Sequence, residues 1–312
     1  MADVLISEFM DKPTAEGLIA EYDVHWDPDL WGKRAELLEQ VASARAIVVR
    51  NATQVDPELL DAAPNLKVVA RMGVGLDNID VPACKARGVE VCPAIGANAA
   101  SVAEYVIATA LILLRGPAYF ATPDVVGGAW DRPRFGSGVE LGGRTMGIVG
   151  FGSIGQVVGG KARGMDMNVI AHDAMLPDDA PAWDDARRVG LPELIAEADV
   201  ITLHCPLLPE TRDLIGAAEF ARMKPGAILI NSARGGIVNE AACAEALKSG
   251  RLGGAALDTL STEPINARAC ALFAGVPNLI LTPHIAGVTK ESNRRIAEVA
   301  AANVRRVLGA PL

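Results

Sequence analysis

Aromatic side chains are scarce in this chain. Phe, Trp and Tyr make up 4% of its 312 residues, while half of all residues are apolar. Any core must therefore be aliphatic, which suits parallel strands buried between helices. Basic runs are lacking too: 29 Lys and Arg face 38 Asp and Glu, a formal charge of −9. That balance argues against nucleic acid and against an anionic membrane surface as partners. It leaves room for small anionic ligands, which respond to local charge. The five cysteines, Cys84, Cys92, Cys205, Cys243 and Cys270, are odd in number and none has C-x-x-C spacing. They read as reduced thiols of a cytoplasmic protein and not as a disulfide frame. The four histidines are scattered without metal-ligand spacing, so no metal is expected. Residues Met1 to Met10 carry acids and no basic n-region, so no signal peptide is expected. The longest apolar stretch, Val102 to Leu114, contains Glu104 and is too short to span a bilayer; it reads as a buried helix.

What the chain does have is a run of glycines in a telling context. Gly150-Phe151-Gly152-Ser153-Ile154-Gly155 follows the apolar strand-like run Thr145–Val149. A helix-like stretch from Gln156 to Arg163 comes next, then a second apolar run, Met167 to His172, ending in Asp173. Strand, Gly turn, helix, strand and acid in that order form the dinucleotide-binding fingerprint. Gly150 permits the sharp turn, Gly152 lets the backbone approach a pyrophosphate, and Gly155 lets helix and strand pack closely. The helix start at Ser153 and Ile154 offers free N–H groups to phosphates. Asp173 is placed to accept from the adenosine ribose hydroxyls and to repel a 2′-phosphate, which favours NAD over NADP. Arg163 and His172 are the basic residues near that ribose, and neither replaces the acid.

The length suggests two domains. Val4–Ser7, Asp23–His25, Ala46–Arg50, Lys67–Ala70 and Val89–Cys92 read as strands of a five-stranded parallel sheet, with helical stretches such as Lys33–Ser43 between them. A helix from about Ala99 to Arg115 leads away. The Gly/Pro-rich segment Gly116–Gly143 reads as a surface loop anchored by Trp130. Val200–His204, Ala227–Asn231, Ala255–Asp258 and Leu279–Thr282 bring the second sheet to six strands. The last helix, Glu291–Leu308, has no strand after it and is expected to return to the first domain. The domains are therefore expected at 1–98 plus 286–312 (substrate) and 99–285 (dinucleotide), with a cleft between them.

Three polar residues fall just after strands of the second sheet: Arg234, Glu263 and His284. Reduction of a carbonyl needs a proton donor, and His suits that role near neutral pH. A carboxylate beside it would orient it and favour its protonated form. An Arg would grip a carboxylate and polarise the carbonyl. Singly, each is more ordinarily a surface or structural residue. Their common position at strand ends is what raises them to candidates.

These segments resemble the D-isomer-specific 2-hydroxyacid dehydrogenase family. Arg71-Met72-Gly73-Val74-Gly75-Leu76-Asp77-Asn78-Ile79-Asp80 is similar to the family's substrate loop, and Ser101-Val102-Ala103-Glu104 to the start of its linking helix. The segments around Gly150, Arg234, Glu263 and His284 match its cofactor and catalytic motifs. The resemblance implies an α/β protein of two doubly wound parallel-sheet domains, a flavodoxin-like substrate domain and a Rossmann NAD-binding domain. It further implies an enzyme that moves hydride between NAD(H) and C2 of a 2-oxo acid. Arg234, Glu263 and His284 would be catalytic, with the amides of Val74 and Gly75 on the substrate carboxylate. Asp258 would hold the nicotinamide carboxamide. Cys205, Pro206, Ala233, Arg234, His284 and Gly287 would join Asp173 and the Gly150–Gly155 turn in lining the cofactor. Asn98, before the linking helix, is a substrate or hinge candidate, with an ordinary N-cap as the alternative. The family's usual assembly is a homodimer, for which Ala99–Leu114 and the loop to Gly143 are the expected contact.

Arg50 matches the position where phosphoglycerate dehydrogenases carry a basic residue for the distal phosphate, but the companion position, often basic as well in those enzymes, is Ala52. Ser7-Glu8-Phe9-Met10-Asp11 and Gly287–Asn293 are similar to the sulfolactate dehydrogenase branch. A short C3 2-oxo acid with a polar or anionic end is the expected substrate: hydroxypyruvate or glyoxylate, phosphoglycerate or sulfolactate type. The alternative is an NAD(H)-sensing binding protein like the C-terminal-binding-protein co-repressors, which share the triad. A formate dehydrogenase would need Gln in place of Glu263.

Overall fold

In the computed structural model, which describes residues 2–309, the chain divides into two compact units. The first runs to Asn98 and resumes at Val288; the second is Ala99–Gly287. Positions 1 and 310–312 lie outside the described residues.

The first unit carries strands β1 (Val4–Ile6), β2 (Val24–Trp26), β3 (Ala46–Val49), β4 (Val68–Arg71) and β5 (Glu90–Pro93). All pair in parallel in the order β2-β1-β3-β4-β5, the flavodoxin-like arrangement. β1 and β3 are fully buried runs of Val, Leu, Ile and Ala, as a sheet covered on both faces requires. One cover is the helix Lys290–Leu308, which buries Ile296, Ala297, Ala300, Ala301, Val304 and Leu308 at three- and four-residue spacing. They pack against Val4, Ile6, Val48, Val68 and Ala70. A reciprocal cap starts the helix: Ser292 N–H donates to Thr289 Oγ1 at 3.0 Å and Thr289 N–H to Ser292 Oγ at 2.9 Å.

The second unit holds seven parallel strands: β6 (Thr145–Val149), β7 (Asn168–His172), β8 (Arg187–Arg188), β9 (Val200–Leu203), β10 (Ile228–Asn231), β11 (Gly254–Leu257) and β12 (Leu279–Leu281). Their order is β12-β11-β10-β9-β6-β7-β8: β12 extends the six-strand dinucleotide-binding order by one, and that order ends at the β7 edge in β8. β8 is not among the six strands expected from the sequence. Its two exposed arginines carry no apolar signal, so only its pairing with β7 reveals it.

The helix Ala99–Arg115 buries nine of its residues against the helix Ser153–Arg163, β10 and β11. With the turns that follow, the helical run 99–126 is long and apolar enough by length and composition to cross a membrane, but 56% of its apolar window is buried inside the chain. The expected loop after Arg115 is instead a 3-10 turn, Gly116–Phe120, and two short helices, Thr122–Val126 and Arg132–Phe135. Trp130 does not anchor it; the residue is 78% exposed.

Candidate active site

In a parallel sheet the strand ends that face a ligand are the carboxyl ends, on either side of the point where strand order reverses. In the second unit that point lies between β6 and β9. Gly150 leaves β6 with φ +90°, and a Cβ there would lie 2.6–2.8 Å from the backbone of His204 and Cys205 at the end of β9. A Cβ on Gly155 would meet the Gly150 carbonyl oxygen at 2.3 Å, so helix and turn touch backbone to backbone. Nothing lies within 4 Å of the Cβ position of Gly152, which is exposed and caps the helix Ser153–Arg163 without any side-chain acceptor. Open space over an uncapped helix start is what a pyrophosphate needs, and the residues present fit an NAD phosphate pair.

Asp173 follows β7. Its Oδ2 accepts from Phe151 N–H at 2.7 Å, and its Oδ1 from Met175 and Leu176 N–H at 2.8 and 2.9 Å. The carboxylate is thus fixed by three amides beside the glycine turn. Arg163 is engaged by Asp185 and Arg188 by Asp178, so carboxylates offset both charges. The His172 ring contacts the Val189 carbonyl oxygen at 3.2 Å. Across the switch point, burial pushes the Cys205 thiol up to about 11, which keeps it protonated. Pro206, next to it, is exposed.

The adjacent strands β10, β11 and β12 deliver Arg234, Glu263 and His284. Buried Asn231 shapes the first turn: its Oδ1 accepts from Ala233 N–H and its Nδ2 donates to the Arg234 carbonyl oxygen. Arg234 Nη1 donates to the Ala233 carbonyl oxygen at 2.7 Å, and Ala233 is itself buried. His284 Nδ1 lies 2.9 Å from Glu263 Oε2, and the other oxygen, Oε1, accepts from Leu260 N–H at 2.9 Å. An ionised carboxylate only accepts, so the Nδ1–H faces Glu263 and Nε2 is left for other work. The structure therefore brings Glu263 and His284 into contact.

Asp258, 1% exposed, holds the His284 turn from beneath. Its carbonyl oxygen accepts from His284 N–H at 2.8 Å. Its Oδ1 accepts from Thr282 Oγ1 at 2.6 Å and Ile285 N–H at 2.8 Å, and its Oδ2 from Ala286 N–H at 2.9 Å. Gly287, half-buried, closes this turn. Sequence reasoning missed Thr282 and the Leu260 amide. A hydroxyl two residues before His284 at a strand end was the available signal for the first; a backbone donor leaves no signal in composition.

The other candidates lie in the first unit. After β4, the N–H groups of Val74 and Gly75 donate to no backbone group among the described residues. Arg50 leaves β3 half-buried. Its Nη2 donates to Asn293 Oδ1 at 3.1 Å and its guanidinium sits 5.8 Å from the Phe9 ring centroid. No carboxylate pairs with that guanidinium among the described residues. Burial lowers the Arg50 pKa, with the Glu8 charge opposing. Glu8, 5% exposed, directs its carboxylate to the amides of Arg50, Ala52 and Thr53. The Asn98 Oδ1 is buried without a hydrogen-bond partner, so it does not cap the helix that follows.

A family model for the D-isomer specific 2-hydroxyacid dehydrogenase, NAD binding domain, matches residues 107–286. The chain belongs to this family. Like the family, it is an NAD-dependent dehydrogenase. Among relatives, this family member is 48% identical over 310 residues to the (S)-sulfolactate dehydrogenase of Chromohalobacter salexigens, covering 99% of both chains. It is 41% identical over 271 residues to the D-3-phosphoglycerate dehydrogenase of Archaeoglobus fulgidus, covering 87% of this chain and 51% of that one. It thus spans about half the length of the phosphoglycerate dehydrogenases it matches. Among solved structures, a Thermus thermophilus protein superposes with a TM-score of 0.84 at 33% identity, over 99% of this chain and 98% of that one.

Proposed function

We propose that this dehydrogenase interconverts a C3 2-oxo acid bearing an anionic distal group with the corresponding 2-hydroxy acid, the sulfopyruvate–sulfolactate pair first among them. The observation that carries the choice is Arg50: a half-buried guanidinium with one neutral amide partner and, among the described residues, no carboxylate paired with it is poised for an anion. The likeness to a sulfolactate dehydrogenase supports the same choice.

When bound, NADH supplies hydride to C2. His284 gives a proton from Nε2 to the C2 oxygen, and takes it back in the oxidative direction. Glu263 keeps Nδ1–H pointed at itself, which dedicates Nε2 to the transfer. Arg234 pairs with the substrate carboxylate and polarises the carbonyl. The amides of Val74 and Gly75 complete the carboxylate's hydrogen bonds, and Arg50 with Asn293 takes the distal sulfonate. Asn98 stands by as a further substrate or hinge residue. On the cofactor side, Ser153 and Ile154 amides bind the pyrophosphate and Asp173 the ribose. Cys205, Pro206, Ala233 and Gly287 line the ring, and Asp258 takes the carboxamide.

We also propose a cytoplasmic homodimer. Its support is the free state of all five cysteines and the exposed Tyr119, Phe120, Val126 and Trp130 within 116–143. Sedimentation of the chain and a Trp130→Ser variant tests the contact.

The substrate test is NADH oxidation with glyoxylate, hydroxypyruvate, phosphohydroxypyruvate and sulfopyruvate. Sulfopyruvate should show the highest kcat/KM. Arg50→Gln should lower it by about 10–100-fold, the value of a charged hydrogen-bonded contact, while glyoxylate is little affected. Best turnover on a long apolar 2-oxo acid refutes the reading. An NAD(H)-sensing role would instead give no turnover on any acid, before or after His284→Gln.

A further inference from the structure

We propose that Tyr105 is a positioning residue of the active site, acting on the His284 turn through a directed chain of hydroxyls, Tyr105 to Thr282 to Asp258. The proposal rests on the reading of His284 as the proton donor and Asp258 as the carboxamide partner.

Tyr105 sits on the helix Ala99–Arg115, in the middle of a stretch whose apolar composition reads as packing alone. Its hydroxyl lies 2.7 Å from Thr282 Oγ1, which lies 2.6 Å from Asp258 Oδ1. The polarity of the chain is forced. The Asp258 carboxylate accepts only, so the Thr282 hydroxyl donates to it; the Thr282 oxygen must then accept from Tyr105. Burial, opposed by the Thr282 hydrogen bond and aided by the Asp258 charge, raises the Tyr105 hydroxyl to about 12, so it remains a donor throughout the working range.

The consequence falls on Asp258. A carboxylate has about four acceptor positions. Thr282, Ile285 and Ala286 take three of them, which leaves one direction on Oδ2 for an amide donor. The hydroxyl chain braces the carboxylate against rotation and so aims that last position. It also braces the proton donor. His284 has φ +57°, in the left-handed region that a residue with a Cβ occupies only when its surroundings hold it there. The holders are Asp258, through its carbonyl oxygen and both carboxylate oxygens, and Thr282, whose carbonyl oxygen accepts from His284 N–H at 3.0 Å. Tyr105 ties this assembly to the long helix, a brace supplied from outside the two strand ends.

The test uses the full chain with Tyr105→Phe, Thr282→Val, Thr282→Ser and the double variant Tyr105→Phe/Thr282→Val. Tyr105→Phe removes one oxygen and keeps the packing. It should lower kcat about three- to tenfold, the range of one net hydrogen bond, with KM for the 2-oxo acid unchanged. The NADH dissociation constant, read by fluorescence without turnover, should rise by a similar factor. In the protein without cofactor, the amides of Ile285 and Ala286 should exchange faster. Thr282→Ser should restore near-parental values. Because Thr282 lies between the other two, the double variant should be no worse than Thr282→Val alone. Unchanged kcat, NADH affinity and exchange in Tyr105→Phe would overturn the proposal, as would multiplicative losses in the double variant. Undiminished turnover by His284→Gln would instead sink the catalytic reading while leaving the affinity and exchange results to judge the brace.

Discussion

Gly235→Ala should disable the site from a distance. The residue follows Arg234, and a Cβ there would stand 2.0 Å from the Leu260 carbonyl oxygen, 2.1 Å from its carbon and 2.6 Å from Ser261 N. All three are backbone atoms, so no side chain can swing aside. Restoring an ordinary contact of about 3.5 Å means opening the two loops by more than about 1 Å. The segment that must move is the one whose N–H groups hold Glu263 Oε1, through Leu260, and Glu240 Oε1, through Ser261. Overpacking of this kind costs about 1–3 kcal/mol, or roughly 2–12 °C in melting temperature for a unit of this size. A displacement of about 1 Å in a catalytic group can cost about 100-fold in rate, so kcat should fall by roughly 10- to 100-fold through the loosened Glu263–His284 pair. Steady-state NADH oxidation and a thermal melt measure both effects. Gly160→Ala is the control: it lies mid-helix with nothing within 4 Å of its Cβ position, so it should gain about 0.5–1 kcal/mol. A Gly235→Ala protein with parental kcat and melting temperature would refute the claim that this backbone contact positions Glu263.

Three other outcomes follow from single contacts. Asp173→Ala should weaken NADH binding about tenfold or more and give little NADPH activity, since the change frees three amides and Arg163 and Arg188 are already engaged by acids; efficient NADPH turnover would contradict this. Burial lowers His204 to about 3, so the unfolded chain binds a proton there below about pH 6.5 that the folded one refuses. Stability should therefore fall as pH drops from about 6.5 toward 3, by up to about 1.4 kcal/mol per pH unit, and denaturant titrations of His204→Asn should show a flatter slope. The Glu21–Arg305 pair holds the Glu21 carboxyl below its ordinary range, so its contribution is present above the unfolded carboxylate pKa and lost as pH falls through the folded one. Glu21→Gln should cost at most about 1 kcal/mol at about pH 7, a difference that should vanish in acid.

The strands were legible because buried parallel strands are uniformly apolar, and their expected limits fall within a residue or so of those observed. β8 was not, because an edge strand of two arginines is held only by its neighbour. Gly150 and Asp173 could be read from spacing, since local turn chemistry constrains both. Tyr105 could not: its hydroxyl gains meaning only when Thr282, 177 positions away, is brought within 2.7 Å. The segment after Arg115 misled for the opposite reason. Gly and Pro mark interruptions there, but they do not say that short helices form between the interruptions or that Trp130 faces solvent.

The helix Lys290–Leu308 belongs to the core of the first unit. A ribosome therefore finishes the five N-terminal strands long before it makes the helix that covers them, with the whole second unit translated in between. At about 5–20 residues per second that interval is on the order of 10–40 s, during which Val4, Ile6, Val48 and Ala70 lack the apolar face of this helix. The nascent N-terminal half is thus a natural client for a chaperone, and the second unit is the first able to mature.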